Sequence, residues 1–118
     1  MAVPDLQRRI EAGDAVVCVV GQGYVGLTVA AAAAAAGMQV NAIDISAERV
    51  AALRAGHNVV AGVDDDAFAL GFGSGRMSFS SDFAGVATSD VVLLCVPTPV
   101  VDHRPDMSHI ENAARTLI

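Results

Sequence analysis

The sequence predicts an α/β fold: a parallel, doubly wound sheet with helices on both faces. Two observations predict it. Short apolar runs alternate with helix-forming segments along the chain, in the order strand, helix, strand, helix, short strand, turn, strand, helix. Apolar residues make up 53% of the 118 residues but aromatics only 4%, with no Trp. The core must therefore be built from Ala, Val, Leu and Ile, a composition common in parallel sheets covered by helices. The length suits one domain.

Each element has its own local reason. Pro4 and Asp5 open a short amphipathic helix carrying Leu6 and Ile10 and closed by Gly13, an N-terminal extension over residues 1–13 that precedes the main fold at 14–118. Ala15–Val20 is an unbroken apolar run, as expected of a strand buried on both faces. Tyr24–Ala36 is rich in alanine, the best helix former, and Gly37 supplies a stop. Gln39–Ile43 reads as a second strand ending at Asp44. Ser46 then caps a helix over Ala47–Ala55, with Val50 and Leu53 inward and Gly56 as its end. Asp64, Asp65 and Asp66 give an acidic N-terminus to a short helix reaching Leu70. Gly71, Gly73 and Gly75 predict a loop after it. Met77–Ser80 is a short strand, Asp82–Ala87 one or two helical turns, and Val91–Val96 a strong strand ended by Pro97 and Pro99. Pro105–Ser108 opens a last helix. The expected strand order is 3-2-1-4.

Chemistry concentrates at Gly21-Gln22-Gly23-Tyr24-Val25-Gly26, a G-x-G-x-x-G loop between the first strand and its helix. Gly21 permits the tight turn, Gly23 lets a backbone approach a pyrophosphate, and Gly26 allows close helix–sheet packing. The helix that follows offers unpaired N–H groups and its positive dipole end to phosphates. Asp44 ends the second strand, 18 residues beyond Gly26, where an acidic residue accepts hydrogen bonds from the adenosine ribose hydroxyls. It would repel a 2′-phosphate, and Ile45 is no arginine to hold one, so the expected cofactor is NAD rather than NADP. The context predicts a Rossmann fold. Tyr24 and Val25 either line the dinucleotide crevice or simply pack the helix start. Val96-Pro97-Thr98-Pro99 follows a strand end, so Thr98 reads either as a cofactor contact or as part of a proline turn.

Other candidates are weaker. Cys95 lacks any marked base or positive neighbour and is not read as a nucleophile. His57, His103 and His109 lack metal-ligand spacing, and the Asp64–Asp66 run fits a helix N-terminus better than a metal site. The net charge of −6 with no basic run argues against nucleic acid and membrane surfaces. No signal-peptide pattern or spanning segment is visible, and a cytoplasmic location is expected.

The runs VVGQGYVGLTVA, NAIDISAERVAALRAG, SDVVLLCVPTP and RPDMSHIENA together resemble the UDP-glucose/GDP-mannose dehydrogenases, the nucleotide-sugar 6-dehydrogenases. GHNVVAGVDDD and TPVVDHRPDMS look most like the UDP-N-acetylglucosamine and UDP-N-acetylmannosamine branch. The resemblance spans about residues 14–118. It implies oxidation of a UDP-sugar C6 alcohol to a carboxylate with two NAD. Carried over by motif, Gly21, Gly23 and Gly26 would hold the pyrophosphate and Tyr24 and Val25 would border it. Asp44 would bind the adenosine ribose with Arg49 nearby, and Pro97 and Thr98 would contact the cofactor. The family's catalytic cysteine, lysine, asparagine and glutamate lie far downstream of such a segment, and this sequence contains no lysine. The expectation is therefore a truncated Rossmann half-domain, inactive alone, whose sugar substrate concerns only a full-length enzyme. Its exposed strand Val91–Val96 should favour self-association. Two other classes stay open: a stand-alone NAD-responsive regulatory module, and an assembly fragment that has lost nucleotide binding.

Overall fold

A computed structural model describes residues 3–96 and 100–117. Its centre is strand β1 (Val16–Val20), whose last four residues are buried. β1 leads into helix α2 (Tyr24–Ala35), following helix α1 (Val3–Ala12) at the start of the chain. β2 (Gln39–Ile43), α3 (Ala47–Arg54), α4 (Asp65–Gly73) and β3 (Met77–Ser80) come next. A 3₁₀ helix (Phe83–Thr88), β4 (Val91–Leu94), a two-stranded hairpin of β5 (Val100–Val101) and β6 (Arg104–Pro105), and α5 (Ser108–Leu117) complete the order. The four main strands form one parallel sheet ordered β3–β2–β1–β4, as the sequence predicts.

Each face of the sheet has its own cover. On one side Val17, Val19 and Val40 pack against Ala30 and Ala34 of α2. Ala42 and Phe79 continue that side beneath Leu27, Val50, Leu53 and Phe68. On the other side Cys18, Val20 and Ile43 meet Phe83 and Val86 of the 3₁₀ helix, which α5 adjoins. The small side chains of α2 matter because α4 lies close against it. A Cβ on Gly71 would sit 2.6 Å from the Ala31 carbonyl oxygen.

That contact corrects one expectation. Gly71 and Gly73 are helical, not loop, and α4 runs on to Gly73, with only Ser74 and Gly75 turning out of it. Glycine's poor helix propensity is outweighed by the close approach it permits. Further boundaries shift. β4 ends at Leu94 rather than Val96, although the Cys95 N–H still donates to the Val20 carbonyl at 2.8 Å. α5 begins at Ser108, whose N–H is held by the Asp106 carboxylate at 3.0 Å, rather than at Pro105. The β5–β6 hairpin was not anticipated; its turn places Asp102 and His103 at φ 50° and 64°. Ser46 and Asp64 do cap α3 and α4 by accepting from the Arg49 and Ala67 amides.

Helix α1 is fastened to the amino end of the sheet. The Arg9 guanidinium donates to Asp90 Oδ1 at 2.6 Å, and Asp90 Oδ2 accepts from the Val16 amide at 2.8 Å. No helix among the described residues is long and apolar enough to cross a membrane.

Candidate functional site

β1 is the point where the chain order reverses: β2 and β3 lie on one side of it and β4 on the other. Loops leaving the carboxyl ends of β1 and β4 therefore diverge, and open parallel sheets bind ligands in the crevice so formed. A cavity of about 840 Å³ lies there. Its walls come from the glycine loop, from Asp44 to Arg49, and from Leu94 to Val96, with Phe83 and Asn112 closing one side.

The three glycines answer three different demands. Gly21 has φ +97°, and a Cβ on it would lie 2.5 Å from the Cys95 carbonyl oxygen. Its N–H donates to the Ile43 carbonyl at 2.7 Å, binding the turn to the neighbouring strand. A Cβ on Gly26 would run into the Gly21 carbonyl, so the first turn of α2 closes against the loop only without one. Gly23 is unlike both: a Cβ there meets nothing within 4 Å. No atom of the described residues requires a glycine at that position, which faces the crevice at the N-terminus of α2. Its N-cap residue, Gly23, has no side chain to cap it. The space a Cβ would occupy, beside a helix end that attracts anions, suits a pyrophosphate.

Asp44 is 8% exposed and clamped. Its Oδ2 accepts from the Gln22 amide at 2.7 Å, and its Oδ1 from the Ser46 amide at 2.9 Å. Arg49 approaches Oδ2 at 3.6 Å and donates to the Gln22 carbonyl at 3.4 Å. A carboxylate offers about four lone-pair sites. Two are engaged by the backbone, so one on each oxygen remains for the hydroxyls of a vicinal diol. A 2′-phosphate would bring further acceptor oxygens and negative charge up to a carboxylate whose own oxygens act here as acceptors. The donor set thus fits an adenosine diphosphate with a free ribose.

Of the other predicted residues, Tyr24 and Val25 line the crevice and are 58% and 59% exposed. Tyr24 also packs its ring over Gly62, where a Cβ would stand 2.9 Å from it. Pro97 and Thr98 lie outside the described residues. Cys95 borders the crevice, and burial pushes its thiol pKa up, against any nucleophilic role. Among the described residues no cluster of His, Cys, Asp and Glu could hold a metal. Sequence reasoning missed Gln22, which is fully buried, and passed over Ile45 as a contact although it is 83% exposed at the crevice edge. The signal for Gln22 was its place in the loop; nothing in its residue type foretold burial.

Comparison with known proteins gives the family. UDP-glucose 6-dehydrogenase of Pseudomonas aeruginosa is 36% identical over 103 residues, which cover 85% of this chain and 23% of that protein. UDP-N-acetyl-D-mannosamine dehydrogenase of Escherichia coli is 34% identical over 104 residues, covering 87% and 24%. The chain spans about a quarter of the length of these relatives. Among solved structures, a UDP-glucose dehydrogenase from the hyperthermophilic archaeon Pyrobaculum islandicum matches with TM-score 0.78 at 34% identity, over 87% of this chain and 24% of its own. A ternary complex of GDP-mannose dehydrogenase from P. aeruginosa matches with TM-score 0.76 at 30% identity, over 86% and 24%. The model of the UDP-glucose/GDP-mannose dehydrogenase family's NAD binding domain matches residues 15–118. The chain belongs to that family and carries its NAD-binding domain.

Proposed function

We propose that this chain is the cofactor-binding portion of an NAD-dependent nucleotide-sugar 6-dehydrogenase. The enzyme would oxidise the C6 alcohol of a UDP-sugar to a carboxylate in two steps, with one NAD accepting a hydride in each. The observation that carries the reading is the Asp44 clamp beside an open Gly23, in a crevice at the carboxyl end of β1. Gly21, Gly23 and Gly26 shape the pyrophosphate cradle, Tyr24 and Val25 border it, and Asp44 receives the adenosine ribose. Arg49 steadies the Asp44 carboxylate and the loop carbonyl of Gln22. By the family motif, Pro97 and Thr98 would be further cofactor contacts. The substrate sugar and the groups that perform the oxidation belong to the whole enzyme and not to these 118 residues, which bind and orient the cofactor without turning it over.

Titration calorimetry with NAD and NADP tests the binding half of the reading. NAD should bind measurably tighter; equal affinities would defeat it. Absorbance at 340 nm with NAD and UDP-glucose or UDP-N-acetylmannosamine tests the second half. No NADH above the protein-free control is expected, and steady production from a pure preparation would overturn it.

A further inference from the structure

Gln22 has a side chain with no access to solvent, directly beneath the crevice and yet not lining it. Its Nε2 donates to the Val19 carbonyl at 2.8 Å, while its Oε1, equally buried, has no hydrogen-bond partner among the described residues. A buried acceptor without a partner costs stability, and an apolar side chain of the same length would avoid that cost. The fold alone therefore gives little reason for an amide at this position. The backbone of the same residue supplies the reason. Its N–H holds Asp44 Oδ2 at 2.7 Å, and its C=O accepts from Arg49 at 3.4 Å. Both peptide groups of Gln22 thus touch the groups that border the ribose position, and the side chain pins those peptides to β1.

We infer that Gln22 is a positioning residue for dinucleotide binding: its buried amide anchors the loop peptide that aims the Asp44 carboxylate. The inference rests on the NAD reading of the crevice. It assigns the amide to ligand geometry rather than to stability, which makes the two separable. Gln22→Met keeps the length and removes both the Val19 bond and the orphaned oxygen. The expected result is a melting temperature within about 2 °C of the unmodified chain, because the lost bond and the removed orphan offset each other. NAD affinity should fall about fivefold, the worth of one typical hydrogen bond spent on orientation. The NAD-to-NADP preference should narrow with it, a change that a purely structural role would not produce in a fully folded chain. Gln22→Leu, also apolar, should behave alike.

Calorimetry with both cofactors and thermal melting on the same preparations decide the matter. Unchanged NAD affinity in a folded Gln22→Met chain would overturn the inference and leave the NAD reading standing. A midpoint lowered well beyond 2 °C in both variants would assign the amide to stability and overturn it too. Failure of the unmodified chain to bind NAD would instead refute the reading of the crevice, and this inference with it.

Discussion

Replacing Asp44 by alanine should separate what the carboxylate does for the fold from what it does for the ligand. Two backbone amides lose their acceptor. The Gln22 N–H is buried, so its loss of a partner costs about 1–3 kcal/mol. The Ser46 N–H is only partly buried and recovers some hydration, adding less. A total of about 2–3 kcal/mol, at roughly 4 °C per kcal/mol for a domain of this size, lowers the melting midpoint by about 8–12 °C. The ligand loses two hydroxyl-to-carboxylate bonds of about 1.5–3 kcal/mol each, which raises the NAD dissociation constant between about a hundredfold and ten-thousandfold. NADP, which gained nothing from the carboxylate, should weaken far less, so the preference narrows. Asparagine offers no rescue. Both carboxylate oxygens accept from amides, and a side-chain NH₂ would face one of those donors whichever way it turned. Scanning calorimetry and titration calorimetry on the unmodified, Asp44→Ala and Asp44→Asn chains measure all of this. An Asp44→Ala chain that melts with the parent would refute the clamp, and one that binds NAD within twofold of the parent would refute the ribose assignment.

Gly23→Ala should fold like the parent, since its Cβ meets no atom of the described residues within 4 Å, yet bind NAD at least tenfold more weakly; Gly26→Ala, whose Cβ runs into the Gly21 carbonyl, should lose stability as well as binding. Normal NAD affinity in Gly23→Ala would show that the pyrophosphate lies elsewhere. Burial raises the thiol pKa values of Cys18 and Cys95 above the ordinary thiol range, so alkylation should be slow at neutral pH and accelerate only in alkaline buffer as thiolate forms. Saturating NAD should protect Cys95, which borders the crevice, and mass spectrometry of labelled peptides would detect unequal or absent protection. Among the described residues β4 pairs only with β1, and Leu93 is 36% exposed. Light scattering across a dilution series should therefore show reversible association that Leu93→Lys weakens; a monomer at every concentration would mean the edge is covered.

The sheet was legible because β1 and β4 are unbroken apolar runs too short to be helices, and helix-forming segments alternate with the shorter strands between them. Val16–Val20 and Gln39–Ile43 need no tertiary information to be recognised. What escaped was set by contacts between distant segments. Gly71 and Gly73 carry the local signature of a loop, and only the Ala31 backbone lying against Gly71 explains why the helix continues. The β5–β6 hairpin escaped for a different reason. Its turn places Asp102 and His103 at positive φ, with no glycine to announce it.

The site was legible to the extent that its chemistry is written in backbone requirements. A glycine at 21 and at 26 is forced by atoms of Cys95 and of Gly21 itself, and such constraints leave a spacing that can be read from one sequence. The carboxylate at the end of β2 follows from the same register, since Val20 pairs with Ile43 and the next residue of each strand enters the crevice region. Gln22 obeys no such rule. Its side chain turns back beneath the loop instead of out to solvent, and its worth lies in what its peptide groups hold rather than in anything its amide touches in the crevice. A motif written as G-x-G-x-x-G treats that position as free. Here it is free only in the sense that several side chains would fold there; the orientation of Asp44 depends on the peptide that this one fixes.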